Sequence, residues 1–307
     1  MSITQAFLNG VRRAASEPKM IFVLYLMNLL LAVPLALAIR SVMITGFGDS
    51  LAPAQMMGSL DFTVFQDFLN LHDANLQTVL GQVLSVLVLS MLLQTFLAGG
   101  ILAVLQDQQK KYSSPSFFKG CGTYFFRFLR LFLLFGVILI VAALVLGGIA
   151  TALAEGMTEN ATSEVTEFWI RIAVFVLFLL PMMLVLMAAD YAKIHMVLHD
   201  GLSAFRSCGE GFAFVFRRFF STFGLEILML LIPILSFAVY IWLDLAIGMT
   251  TTMTILVMFF IQQMFMILRA WTRIFILAGE ITLYRGLQRK PFPEVDAPSV
   301  APEMQKA

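Results

Sequence analysis

Six runs of apolar residues, each long enough to cross a bilayer, constrain this chain more than any other feature: 20–39, 79–105, 131–154, 172–189, 222–247 and 252–278. About 20 such residues in a helix cover the roughly 30 Å of hydrocarbon. Lipid offers backbone N–H and C=O groups no partner, so a run of this kind satisfies its own backbone by becoming a helix. The expected fold is all-α, a polytopic membrane protein of six transmembrane helices. Composition excludes a water-soluble alternative, since 60% of the 307 residues are hydrophobic and only 13% are charged. A net charge of +1 supplies no field to attract nucleic acid, which is therefore not an expected partner.

Six crossings place both termini on one side, and the distribution of cations says which. Lys and Arg near short loops stay in the cytoplasm, whereas acids count for little. Eighteen of the 20 basic residues fall on the side of the termini, leaving Arg40 and Arg171 opposite. The expected orientation puts both termini in the cytoplasm. The first run, preceded by Arg12, Arg13 and Lys19, is too long for a cleavable signal core and reads as the first span. Cys121 and Cys208 both fall on the reducing side, where they are expected as small buried hydrophobes without a disulfide.

The inner ends of the even-numbered spans repeat. Leu97-Ala98-Gly99-Gly100, Met187-Ala188-Ala189-Asp190 and Leu277-Ala278-Gly279-Glu280 follow one another at a spacing of 90 residues. The entrances repeat as well. Phe118, Lys119, Cys121, Gly122, Phe125 and Arg130 match Phe205, Arg206, Cys208, Gly209, Phe212 and Arg217 at one offset of 87, and Ile3, Phe7 and Val11 form a weaker first copy. An apolar stripe opposite basic residues, too short and charged to span, is expected to lie in the interface plane. The organisation is thus three repeated hairpins, at about 1–105, 113–195 and 203–287, each preceded by an in-plane amphipathic cytoplasmic helix. Residues 1–290 form one domain, and 291–307, with Pro291, Pro293, Pro298 and Pro302, form a disordered tail. In the third span, Ala143, Gly147 and Thr151 beside Gly148, Ala152 and Gly156 make it the expected packing centre of the outer half, against either another span or a second copy of the protein. Phe62, Phe65, Phe68 and Leu69 among acids suit an amphipathic helix in the outer loop.

Ionisable groups within spans are the default functional candidates, because charge in hydrocarbon is costly unless paired or hydrated. Arg269, Arg273 and Glu280 lie along one helix that continues from the sixth span, and Asp190 occupies the repeat position of Glu280. Asp190 with Arg273, or Lys193 with Glu280, would pair across the cytoplasmic mouth as a charged gate or headgroup site, or as a purely structural ion pair. Glu226 could join them. Gln94, Gln262 and Gln263 either line a polar path or bond between helices. Arg12, Arg13, Lys119, Arg127, Arg130, Arg206, Arg217 and Arg218 form the membrane-surface basic set, whose expected partners are membrane lipids of the anionic cytoplasmic leaflet. His195 and His199 stand four apart, at ligand spacing, but no Glu follows the first and the third histidine, His72, lies across the membrane. No metal, cofactor or catalytic residue is expected, since neither a phosphate loop nor a nucleophile elbow occurs.

At DYAKIHMVLHDGLSAF, residues 190–205, and RAWTRIFILAGEITLYRGL, residues 269–287, the chain resembles a group of uncharacterised bacterial six-span membrane proteins. The resemblance implies a bacterial cytoplasmic (inner) membrane location and no activity. Two functions compete. One is a non-catalytic accessory or assembly subunit of a membrane complex, with another membrane protein as partner; the other is a transporter or flippase of a lipid or small amphiphile. A continuous polar cavity reaching Gln262 and Arg273 would favour transport, and a closed apolar interior the subunit.

Overall fold

The computed structural model describes residues 2–47, 73–107, 112–159, 163–199, 203–248 and 251–288. Among them the chain forms eight α-helices and no strand: α1 Ile3–Ala15, α2 Pro18–Phe47, α3 Asp73–Gln106, α4 Ser114–Thr158, α5 Glu164–Leu198, α6 Ala204–Arg217, α7 Phe219–Ile247 and α8 Thr252–Gln288. All but α1 and α6 are long and apolar enough to cross a membrane, six in number. They fall on the six runs read from hydropathy. Residues 48–72 of the outer loop, His72, Lys110, Lys111, the Asn160 sequon and the tail lie outside the described residues.

Three segments begin alike. Ser2 Oγ accepts the Gln5 N–H at 3.3 Å, Ser113 Oγ that of Ser116 at 3.4 Å, and Ser203 Oγ that of Arg206 at 3.3 Å. Each bond satisfies one of the four N–H groups that a helix start leaves without an internal partner. Their ends differ. After α1 the backbone turns at Ser16 and Glu17, and Pro18 restarts it as α2. At Arg218, φ −125° and ψ 34° separate α6 from α7. The second segment does not end at all: Ser114–Thr158 is one uninterrupted helix of 45 residues, about 68 Å long. The separate in-plane helix expected before the third span is therefore the first turns of that span. No proline or glycine between residues 123 and 135 interrupts it.

Close helix crossings at glycine organise the end of the bundle that carries α1 and α6. A Cβ on Gly10 of α1 would lie 3.0 Å from the Phe275 carbonyl oxygen and 3.1 Å from the Gly279 nitrogen, on α8. One on Gly120 of α4 would meet Ala103 Cβ at 2.4 Å and Gly100 Cα at 3.4 Å, on α3. One on Gly211 of α6 would meet the Ala188 carbonyl oxygen at 2.4 Å, on α5. The small pairs at the ends of the even spans thus receive a glycine of the segment that begins the next hairpin. For α8, last in sequence, that segment is α1, the first, so the arrangement closes on itself.

The core is concentrated at this end. Leu97, Ile101 and Leu102 of α3, Phe117, Phe128 and Leu131 of α4, Met187, Tyr191 and Ile194 of α5, and Phe275 of α8 are fully buried. Phe7 meets the Phe275 ring edge-on at 5.2 Å, and Phe135 stacks on Phe212 at 5.7 Å. Burying such rings stabilises each by about 1.5–3 kcal/mol relative to water, and lipid-facing ends gain no such term. Toward the opposite end side chains stand exposed, as Leu144 does at 72%. The small-residue face of α4 belongs there. A Cβ on Gly148 or Gly156 would meet nothing within 4 Å, and one on Gly147 only Phe178 at 4.0 Å. Within the chain, among the described residues, no other span packs closely on that face.

Candidate functional site

A cleft of about 740 Å³ enters the bundle between α2, α3, α5, α7 and α8. Along α3 it runs from Val86 to Ala98, a rise of about 18 Å or somewhat more than half the hydrocarbon thickness. Its walls away from the charged end are apolar, with Leu31, Leu35 and Val86. Its floor is not: Asp190 and Lys193 from α5 and Arg269 and Arg273 from α8 all line it. Three cations face one carboxylate, an arrangement that attracts a compact anionic group attached to an apolar body.

The four charges are brought together as the sequence led us to expect, but they pair differently. Lys193 Nζ lies 2.6 Å from Asp190 Oδ1, one turn along the same helix. Two side chains three residues apart on one face meet without any tertiary adjustment, and this local geometry wins over a cross-helix partner. Both are about a quarter to a third exposed, so the pair contributes no more than about 1 kcal/mol and yields readily to a ligand. Arg273 donates through Nη2 to the Gln94 carbonyl oxygen at 2.8 Å, not to Asp190. Gln94 Nε2 in turn donates to Asn28 Oδ1 at 2.7 Å, and Asn28 Nδ2 to the Leu24 carbonyl at 2.8 Å. The Gln94 Oε1 is buried without a partner. Asn28 lay unread in the sequence, although the rule that singles out Gln94, an amide within a span, applies to it equally.

Glu280 stands apart. It is 1% exposed, outside the cleft lining, and neither carboxyl oxygen has a hydrogen-bond partner. Lys193 does not reach it. Asp190, Glu226 and Lys193 act on it electrostatically across the α5, α7 and α8 contact. An unpartnered buried carboxyl costs about 1–3 kcal/mol, so replacement by an apolar side chain of similar length removes a penalty. Glu280→Met is expected to raise the thermal unfolding temperature in detergent; a lower temperature would show that Glu280 holds a partner in the folded protein.

The glutamines take the interhelical role. Gln263 accepts the Tyr25 hydroxyl at 2.7 Å, and Gln262 donates to the Tyr240 hydroxyl at 3.4 Å; neither lines the cleft. Of the basic set, Arg12 and Arg13 join Arg285 around a smaller hollow of about 370 Å³. Arg13 and Arg285 donate to the carbonyls of Asp107 and Gln106, capping the end of α3, where cations are favourable. Arg127 and Arg130 line a third cavity, while Lys119, Arg206, Arg217 and Arg218 are exposed. Glu17 was missed in the sequence. It is 3% exposed, lies 3.4 Å from Arg13, and accepts the Tyr112 N–H at 3.0 Å, tying the α1–α2 corner to the start of α4. His195 is buried with Nδ1 2.6 Å from the Tyr284 hydroxyl and so braces α5 against α8, whereas His199 Nδ1 lies 3.2 Å from the His195 carbonyl of its own helix.

Six helices long and apolar enough to cross a membrane, five of them around a charged cleft, define a multi-pass α-helical membrane protein. No protein family, curated protein or solved structure matches the chain.

Proposed function

We propose that the protein is a non-catalytic transporter of an anionic amphiphile, such as a lipid, in the cytoplasmic membrane of a bacterium. The cleft reaches Arg273 but not Gln262, so it meets only half of the criterion set for a transport path; the observation that carries this reading is its floor, where Lys193, Arg269 and Arg273 outnumber Asp190 beneath apolar walls. A headgroup would replace Asp190 as the partner of Lys193 and engage Arg273, while its chain stays against Leu31 and Leu35. The repeat supports it too. Three serine-capped segments and three glycine contacts recur in the same order, and repeat-built transporters place their sites between repeats. We infer that the α1 and α6 end faces the cytoplasm, because 18 of the 20 basic residues lie on that side.

The test uses the purified protein alone in phosphatidylcholine vesicles carrying chain-labelled fluorescent phosphatidylglycerol. A membrane-impermeant reductant should bleach the inner-leaflet label faster than in protein-free vesicles, and faster than the matching phosphatidylcholine probe. Label that stays protected overturns the reading and favours the accessory subunit, for which the uncontacted small face of α4 at Gly148 and Gly156 would be the surface to cover.

Orientation is checked separately. Both native cysteines are buried, and burial pushes the Cys208 thiol above its usual range, so neither is a responsive label site at neutral pH. Gly209 on α6 is exposed, and nothing lies within 4 Å of its Cβ position. Gly209→Cys is expected to react with an impermeant maleimide in inside-out vesicles and not in intact cells. Labelling from outside cells would invert the topology.

A further inference from the structure

A separate cavity of about 700 Å³, sharing no residue with the cleft, opens between α4, α5 and the start of α6. Arg127 and Arg130 stand at one end, and Arg127 is held over the Tyr124 ring, 5.9 Å from its centroid. From there the wall continues along α4 through Leu133, Leu134 and Val137. Residues 127 to 137 rise about 15 Å, passing from the basic entrance of the helix into its apolar run. The wall is open: Leu133 is 59% and Val137 61% exposed, although both belong to a membrane span. Phe205 at the start of α6, itself 77% exposed, also lines it. Among the described residues that line the cavity none is acidic, and two are arginines.

We propose that this cavity holds one resident anionic phospholipid of the leaflet at the α1 and α6 end. Its phosphate lies at Arg127 and Arg130, its acyl chain lies on Leu133, Leu134 and Val137, and the molecule bridges α4 to α6. Guanidinium groups suit a phosphodiester because they present several N–H donors in one plane. A free phosphate would satisfy the arginines but leave the apolar wall unused. The inference does not rest on transport through the cleft, since the two sites have different linings and different arginines.

Native mass spectrometry of the full chain, purified in detergent and offered equimolar phosphatidylglycerol and phosphatidylcholine, tests the assignment. One phosphatidylglycerol per chain should be retained in preference to phosphatidylcholine. In the R127Q/R130Q variant retention should fall at least about tenfold, the loss expected for a charge-assisted contact. R217Q/R218Q, which removes equal charge from the same end outside the cavity, should retain it. Val137→Trp should expel the lipid by filling an exposed part of the wall, which leaves folding undisturbed and decides the matter if R127Q/R130Q does not fold. Inorganic phosphate at millimolar concentration should not displace the lipid. Retention unchanged in both cavity variants, an equal loss in R217Q/R218Q, or full displacement by phosphate would overturn the proposal.

Discussion

Arg273→Ala is expected to abolish transport of the fluorescent anionic lipid while leaving the yield of folded protein unchanged. The guanidinium lies on the cleft floor beside Arg269, and the bond it makes is to the Gln94 carbonyl. That carbonyl sits inside α3 and keeps its own helical N–H partner when Arg273 is removed, so truncation strands no buried acceptor. Folding therefore loses little. A bound anion loses a charge-assisted contact of about 1.5–3 kcal/mol, which is about 10- to 150-fold in affinity. Arg273→Lys should recover part of the rate, because a lysine supplies the charge without the planar donor pair. The readouts are bleaching of the inner-leaflet label in vesicles and the monodisperse fraction in detergent. If folded protein disappears while each remaining molecule transports normally, the charge is structural and the cleft is not a path.

Gly211→Ala is expected to produce the largest stability loss of any single methyl added to the chain's amphipathic helices. Its new Cβ would lie 2.4 Å from the Ala188 carbonyl oxygen and 3.0 Å from Ala192 Cβ and nitrogen. Those are mostly backbone atoms of α5, which cannot rotate away, so α6 must lift off the helix it packs on. Overpacking of this kind costs about 1–3 kcal/mol, enough to lower the unfolding temperature by several degrees. Gly209 on the same helix is the control. No atom lies within 4 Å of its Cβ position, and Ala there gains up to about 1 kcal/mol of helix propensity. Gly10→Ala, with its nearest atom at 3.0 Å, should fall between the two. Thermal unfolding in one detergent ranks them, and equal values for Gly209→Ala and Gly211→Ala would disprove the contact.

How much of this could be read beforehand differs by element. The six spans were legible because bilayer thickness imposes one length and one composition on any helix that crosses it. The positions of Asp190, Lys193, Arg269, Arg273 and Glu280 were legible because charge is scarce in apolar runs and so conspicuous. Their pairing was not. Asp190 found Lys193 on its own helix, and Glu280 found nothing, because the choice depends on angles between helices that hydropathy does not encode. The entrance stripes were half legible: Cys121 and Cys208 are buried as expected, yet Phe118 and Phe205 point outward, where lipid accepts an apolar ring as well as a core does.

The sequence by itself determined how many helices are long and apolar enough to cross and on which side of them the cations collect. Each of these follows from forces acting within one segment or between a segment and the bilayer. Tertiary structure alone decided that α1 closes the assembly on α8, that α4 runs on without a break, that no other span packs closely on the small face of α4, and that a cleft opens above Arg273. In a membrane both the packed and the exposed faces of a helix are apolar, so the identity of its neighbour is set by contacts on the scale of a single methyl group between residues as distant in the chain as Gly10 and Gly279.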